Sequence, residues 1–167
     1  MMARLGGFWD SMLGEGRRWW VTANSDSHVN WREGGNDFWP GEYTKTYVFA
    51  EKNHGDILDG VRRGRIFVTT GDLVSELFVT VSAPSGEASI GETLRIAGRT
   101  DVTVTIRLRD PAGPNPSGFN PEVSRVDLIV GDIGVRLANR LTDTNPTTRV
   151  VKRFTPGEWK REGEYIG

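Results

Sequence analysis

Cysteine is absent from the 167 residues. Disulfides, thiolate nucleophiles and zinc–thiolate centres are therefore excluded, while the compartment stays open. Histidine occurs only twice, as His28 and His54, which limits any imidazole-rich centre. Neither sign of charge is in excess: 21 Lys and Arg face 22 Asp and Glu, a net charge of −1. A general binder of nucleic acid or of anionic membranes carries a basic surplus. Neither nucleic acid nor a membrane is therefore expected as a partner. No apolar run approaches the roughly 20 residues that span a bilayer, and residues 1–16 lack the apolar core of a signal peptide.

Hydrophobic content of 37% and charged content of 26% are ordinary for a folded domain and leave room for one core or two small ones. Phe8, Trp9, Met12 and Leu13 resemble the tail of a helix, ended by Gly14 and Gly16. Trp19-Trp20-Val21 opens an apolar run over 19–23 that predicts a buried strand. Residues 24–43 form a long polar loop, a length that in a compact domain is functional or disordered. Trp31, Phe38 and Trp39 argue against simple disorder. Residues 44–50 alternate β-branched and aromatic side chains and predict a second strand. Asn53 is a candidate N-cap, Ile57, Leu58 and Val61 make an apolar stripe, and Gly64 stops the helix. A strand over 66–70 follows, closed by Gly71-Asp72.

The pattern changes near residue 73. Strands are expected over 73–81, 100–108, 123–130, 134–138 and 147–154, separated by turn-forming clusters and by a proline-rich loop over 110–121. Short strands without intervening helices suggest an antiparallel β-sandwich. The fold class is thus α/β plus all-β, with an α/β segment over 1–72 and a β-sandwich over 73–167. The final residues, 164–167, follow another possible strand start.

The chemistry concentrates in Asn24-Ser25-Asp26-Ser27-His28. In extended backbone, residues i and i+2 point to one side. A carboxylate at Asp26 and an imidazole at His28 then converge just past a strand end, a donor pair that suits divalent metals. The bland reading is a turn-capping carboxylate beside a surface histidine. Asp37 and Glu42 are either further carboxylates near the metal or solvated loop charges. Arg32 is either a phosphate-binding guanidinium or a surface arginine. Trp31, Phe38 and Trp39 either wall a substrate pocket or pin the loop. His54, at a helix start, reads as solvated. A serine hydrolase built on Ser25 or Ser27 with His28 is set aside, because adjacent residues do not adopt nucleophile–base geometry easily and no Gly-x-Ser-x-Gly occurs.

The stretch from Trp20 to His28 resembles the last metal-binding motif of the PHP (polymerase and histidinol phosphatase) family of metal-dependent phosphoesterases, in which a late barrel strand ends in Ser-Asp-x-His. The order that follows is also similar: a strand at Thr46-Tyr47-Val48-Phe49, a helix ending in Arg62-Arg63-Gly64-Arg65, then Ile66-Phe67-Val68-Thr69. The likeness covers residues 8–82, and some larger members add a β-sandwich. It implies the C-terminal portion of a PHP-like β/α barrel, with Asp26 and His28 as metal ligands. The implied cofactor is a cluster of divalent ions (zinc, manganese or iron) acting on a small-molecule phosphoester.

This chain departs from the family in one respect. A PHP site opens with His-x-His and draws ligands from several strands, whereas here no His-x-His exists. Catalytic metal sites take about three ligands from protein, so two leave the site incomplete. The expectation is a fragment of a phosphoesterase, inactive alone. The alternative is a β-sandwich module binding carbohydrate or protein, with an incidental Asp-x-His. A truncated barrel exposes apolar strand faces and edges, so a homodimer is expected.

Overall fold

The computed structural model describes residues 4–25, 41–134 and 143–167. Among them the chain is mostly β, with two short helices. The elements run α1 (Phe8–Gly14), β1 (Thr44–Val48), α2 (His54–Arg63), β2 (Ile66–Thr70), β3 (Glu76–Ala83), β4 (Gly86–Ser89), β5 (Thr103–Arg109), β6 (Val126–Val130), β7 (Arg149–Phe154), β8 (Arg161–Glu162) and β9 (Tyr165–Ile166). Every strand pairing is antiparallel. They form a two-stranded sheet β1-β2, a five-stranded sheet in the order β4-β3-β5-β9-β8, and a two-stranded sheet β6-β7. A β/α barrel is built of parallel strands, and no barrel is present among the described residues.

Contacts group the chain into two compact units. One comprises residues 1–19 and 124–158, the other 20–123 and 159–167. In the first, α1 is held by Asn145, a buried side chain. Its amide donates to the carbonyls of Asp10 at 3.2 Å and Asp132 at 3.3 Å, and its oxygen accepts from the Thr147 backbone at 3.1 Å. The Asn145 backbone N–H also donates to Gly6 O at 2.8 Å. A β-carbon on Gly14 would lie 2.6 Å from the Asn145 amide, so the glycine lets the two approach.

In the second unit β3 and β5 are the longest pair, with Leu77 opposite Leu108, Val79 opposite Ile106 and Val81 opposite Val104. Leu108 and Ile166 are only 4% and 3% exposed, and with Ile66, Ala88 and Val123 they make the buried apolar core. Short β9 closes against β5 through Leu108↔Ile166 and Arg109↔Tyr165. An ionic cluster reinforces that edge: Glu164 accepts from Arg109 Nε at 2.8 Å and from the Ala112 N–H at 2.7 Å, and buried Asp110 accepts from Arg161 at 2.6 Å.

Several expected elements take the expected form. Asn53 caps α2 through a 3.0 Å bond from the Asp56 N–H, and Gly64 ends it in the left-handed region at φ 73°. Other expectations need correcting. The apolar run 19–23 is not a strand, for it joins no sheet. Of the turn-forming cluster Pro84-Ser85-Gly86, Gly86 instead begins β4, which pairs with the end of β3. The strand expected over 134–138 lies mostly outside the described residues.

Candidate functional site

The approach to the Asp-x-His motif can be followed from Trp20 to Ser25. Burial alternates along it: Val21, Ala23 and Ser25 are half-buried, Thr22 and Asn24 exposed. That period of two is the mark of extended backbone, yet the segment has no ladder partner. Three of its backbone groups, on Ala23 and Asn24, are engaged by side chains of β1. Thr46 Oγ1 accepts from the Ala23 N–H at 2.8 Å and donates to the Ala23 carbonyl at 2.9 Å. Thr44 Oγ1 donates to the carbonyl of Asn24. Two threonines spaced by two on a strand face the same way, so their hydroxyls replace a backbone ladder along Ala23 and Asn24.

The other anchor is Trp20. Its indole N–H donates to the carbonyl of Arg62 at 3.1 Å, in the last turn of α2. That carbonyl is one of those a helix end leaves without an intrahelical partner. The indole ring rests on Gly64, where a β-carbon would come within 2.4 Å of it. Gly91 packs on the same turn: a β-carbon there would lie 2.7 Å from Arg65 N. Arg63 and Arg65 in that region are turned toward Asp59, at 2.9 and 3.6 Å.

Asp26, His28 and Arg32 lie outside the described residues, as do Trp31, Asp37, Phe38 and Trp39. Glu42 is half-buried in the turn before β1. His54 is the first residue of α2 and is exposed. Among the described residues no three His, Asp or Glu side chains gather in a way that could hold a metal ion. No described helix is long and apolar enough to cross a membrane.

Sequence reasoning placed Trp20 and Thr46 in expected strands but missed that they, with Thr44, anchor this segment. The Thr-Lys-Thr alternation carried the signal, since it places two hydroxyls on one face of an expected strand. Comparison with known protein families, with curated proteins and with solved structures finds no match.

Proposed function

We propose that the chain contributes the closing ligands, Asp26 and His28, to a metal-dependent phosphoesterase centre of PHP type. The remaining ligands come from outside these 167 residues. On this reading residues 1–72 are the end of a PHP-like barrel and residues 73–167 an accessory β-sandwich. The observation that carries it is the Ser25-Asp26-Ser27-His28 motif, followed in order by β1, α2 with its left-handed Gly64, and β2. The anchoring of residues 20–24 to α2 and β1 supports it, because a ligand pair needs a fixed backbone on which to converge.

Divalent ions bound there would polarise a phosphoryl oxygen of a small-molecule phosphoester and acidify a bound water. Zinc, manganese and iron all accept a carboxylate and an imidazole. Arg32 is the candidate for pairing with phosphate oxygens.

The test uses the two histidines. In proton NMR of the full chain titrated with Mn²⁺, the His28 imidazole resonances are expected to broaden while those of His54 stay sharp. Equal responses from both, or none from His28, would overturn the proposal. Hydrolysis of a generic phosphomonoester by the chain alone is expected to be negligible, and brisk metal-dependent turnover would refute its incompleteness. The second reading, a sandwich that binds carbohydrate or protein, takes its support from the wholly antiparallel sheets and from Phe119, which stands 71% exposed on the loop before β6. It predicts a silent His28. Exposed apolar strand residues such as Val68, Phe78, Ile129 and Val151 favour a homodimer, and a monomeric mass by light scattering would exclude it.

A further inference from the structure

Strand β5 lies inside the five-stranded sheet, yet only one of its sides is fully paired. Strand β3 accompanies it along its whole length, from Thr103 opposite Ser82 to Arg109 opposite Glu76. On the other side β9 pairs with Leu108 and Arg109 alone. Gly167 then turns its backbone to Lys160, donating at 3.1 Å and accepting at 2.8 Å. A slot is left beside residues 103–107, with no strand in it among the described residues.

The parity of the ladder decides what the slot offers. In antiparallel pairing, alternate residues of a strand aim their backbone groups at opposite neighbours. The Asp110 N–H donates to Glu164 O at 2.8 Å, on the β9 side. Even-numbered residues of β5 therefore face that way. Leu108 meets Ile166 there, while Ile106 and Val104 aim their N–H and C=O into the slot. Exposure agrees, for Thr103 and Thr105 are exposed and Val102 is 44% exposed. A row of alternating donors and acceptors is matched by another extended backbone.

Side chains give the slot a polarity. Val104 and Ile106 share the face of buried Leu108, and Thr103, Thr105 and Arg107 share the opposite one. Arg109 is held by Glu76 at 3.3 Å and by Glu164 at 2.7 Å. Arg107 instead lies 3.8 Å from the ring centre of Tyr165 and 6.0 Å from that of Phe78, and no carboxylate pairs with it among the described residues. At the far end, exposed Asp101 precedes the strand. One end of the slot is thus cationic and the other anionic.

We infer that this slot takes an extended segment of a partner protein, running antiparallel to β5 and in line with β9. The residues opposite Ile106 and Val104 are apolar and continue the face of Leu108. The one between them, opposite Thr105, is acidic and reaches Arg107 along a diagonal of about 7–8 Å. The one opposite Thr103 is basic and reaches Asp101. Recognition through backbone needs no metal, so occupancy does not depend on one at Asp26 and His28.

The experiment titrates the full, isotope-labelled chain with the peptide Val-Glu-Val-Lys-Val amide. The amide resonances of Val104 and Ile106 are expected to shift saturably in the millimolar range. Methylation of the central valine nitrogen, which faces Val104, removes one hydrogen bond and is expected to weaken binding roughly five-fold. Methylation of the glutamate nitrogen, which faces away, is expected to change it little. The peptide with Glu and Lys exchanged is expected to bind about three-fold more weakly, and Arg107→Gln to narrow that gap. No saturable shift at these amides, equal effects of the two methylations, or equal affinities for the two peptides would each overturn the inference. Shifts that grow with the concentration of the chain alone would give the slot to a second copy and overturn it as well.

Discussion

The indole of Trp20 occupies the space where Gly64 would carry a side chain, with the nearest ring atoms 2.4 Å from an ideal β-carbon position. Two residues 44 apart in sequence thus share one volume, and the left-handed backbone of Gly64 at φ 73° makes the arrangement possible. Gly64→Ala would meet both constraints. Left-handed backbone costs a residue with a β-carbon about 1–2 kcal/mol, and displacing the ring adds overpacking of similar size, for a total of about 3 kcal/mol. Gly98 is the control: its φ is 75° and nothing lies within 4 Å of its β-carbon position. Gly98→Ala is expected to show the backbone cost alone, and chemical denaturation of both variants measures the difference.

Thr46 holds Ala23 by both of its backbone groups. Thr46→Val keeps the shape of the side chain and loses the hydroxyl. The Ala23 amide is expected to exchange roughly ten-fold faster with solvent, the equivalent of one hydrogen bond. Thr46→Ser keeps the hydroxyl and is expected to keep protection. Hydrogen exchange by NMR reads both, and unchanged protection in the valine variant would contradict the anchoring role.

Asn145 bonds to four backbone groups of the first unit, on Gly6, Asp10, Asp132 and Thr147. Truncation to alanine leaves the carbonyls of Asp10 and Asp132 and the N–H of Thr147 without this partner. The expected loss is about 3 kcal/mol, concentrated in that unit. Hydrogen exchange in α1 and in β6 and β7 is expected to accelerate, while that of β3 and β5 changes little.

Acid is expected to weaken both units through paired carboxylates. The Glu164 carboxyl is held below its ordinary range, first by the Ala112 N–H and then by the Arg109 guanidinium. Asp127 is lowered by its hydrogen bonds with Arg153, and Glu158 by Lys152 and Thr155. A depressed folded-state pKa gives stability that is present above the unfolded value, near pH 4.3 for glutamate. That stability is lost as the pH falls through the folded value. Glu164→Gln is therefore expected to be less stable than the parent at neutral pH, with the gap narrowing below about pH 4. Denaturation curves at pH 7 and pH 3 compare them.

The elements readable in the sequence were those fixed by local chemistry. Helix α2 is delimited by the Asn53 cap and the Gly64 stop, and β1 and β5 by their alternation. The run 19–23 has the composition of a strand, but Trp20 is turned to the end of α2 and the β1 threonines take the place of a ladder. Strand β4 has no β-branched residue and exists because β3 offers it an edge, which is a tertiary effect invisible to local pattern. The fixed approach to the candidate site was legible only in the Thr44 and Thr46 spacing, while Asp26, His28 and Arg32 lie outside the described residues.

Gly64 is pressed from two sides, by the Trp20 indole and by the backbone near Gly91. Three stretches that are far apart along the polypeptide consequently constrain one another as a single unit of evolutionary change. A descendant that placed a methyl group at Gly64 would need a smaller side chain at position 20, whereas one at Gly91 would have to move the backbone of residues 63–65. In related chains positions 20 and 64 are therefore expected to drift together or to stay put together, with glycine kept at 91 wherever that turn is kept.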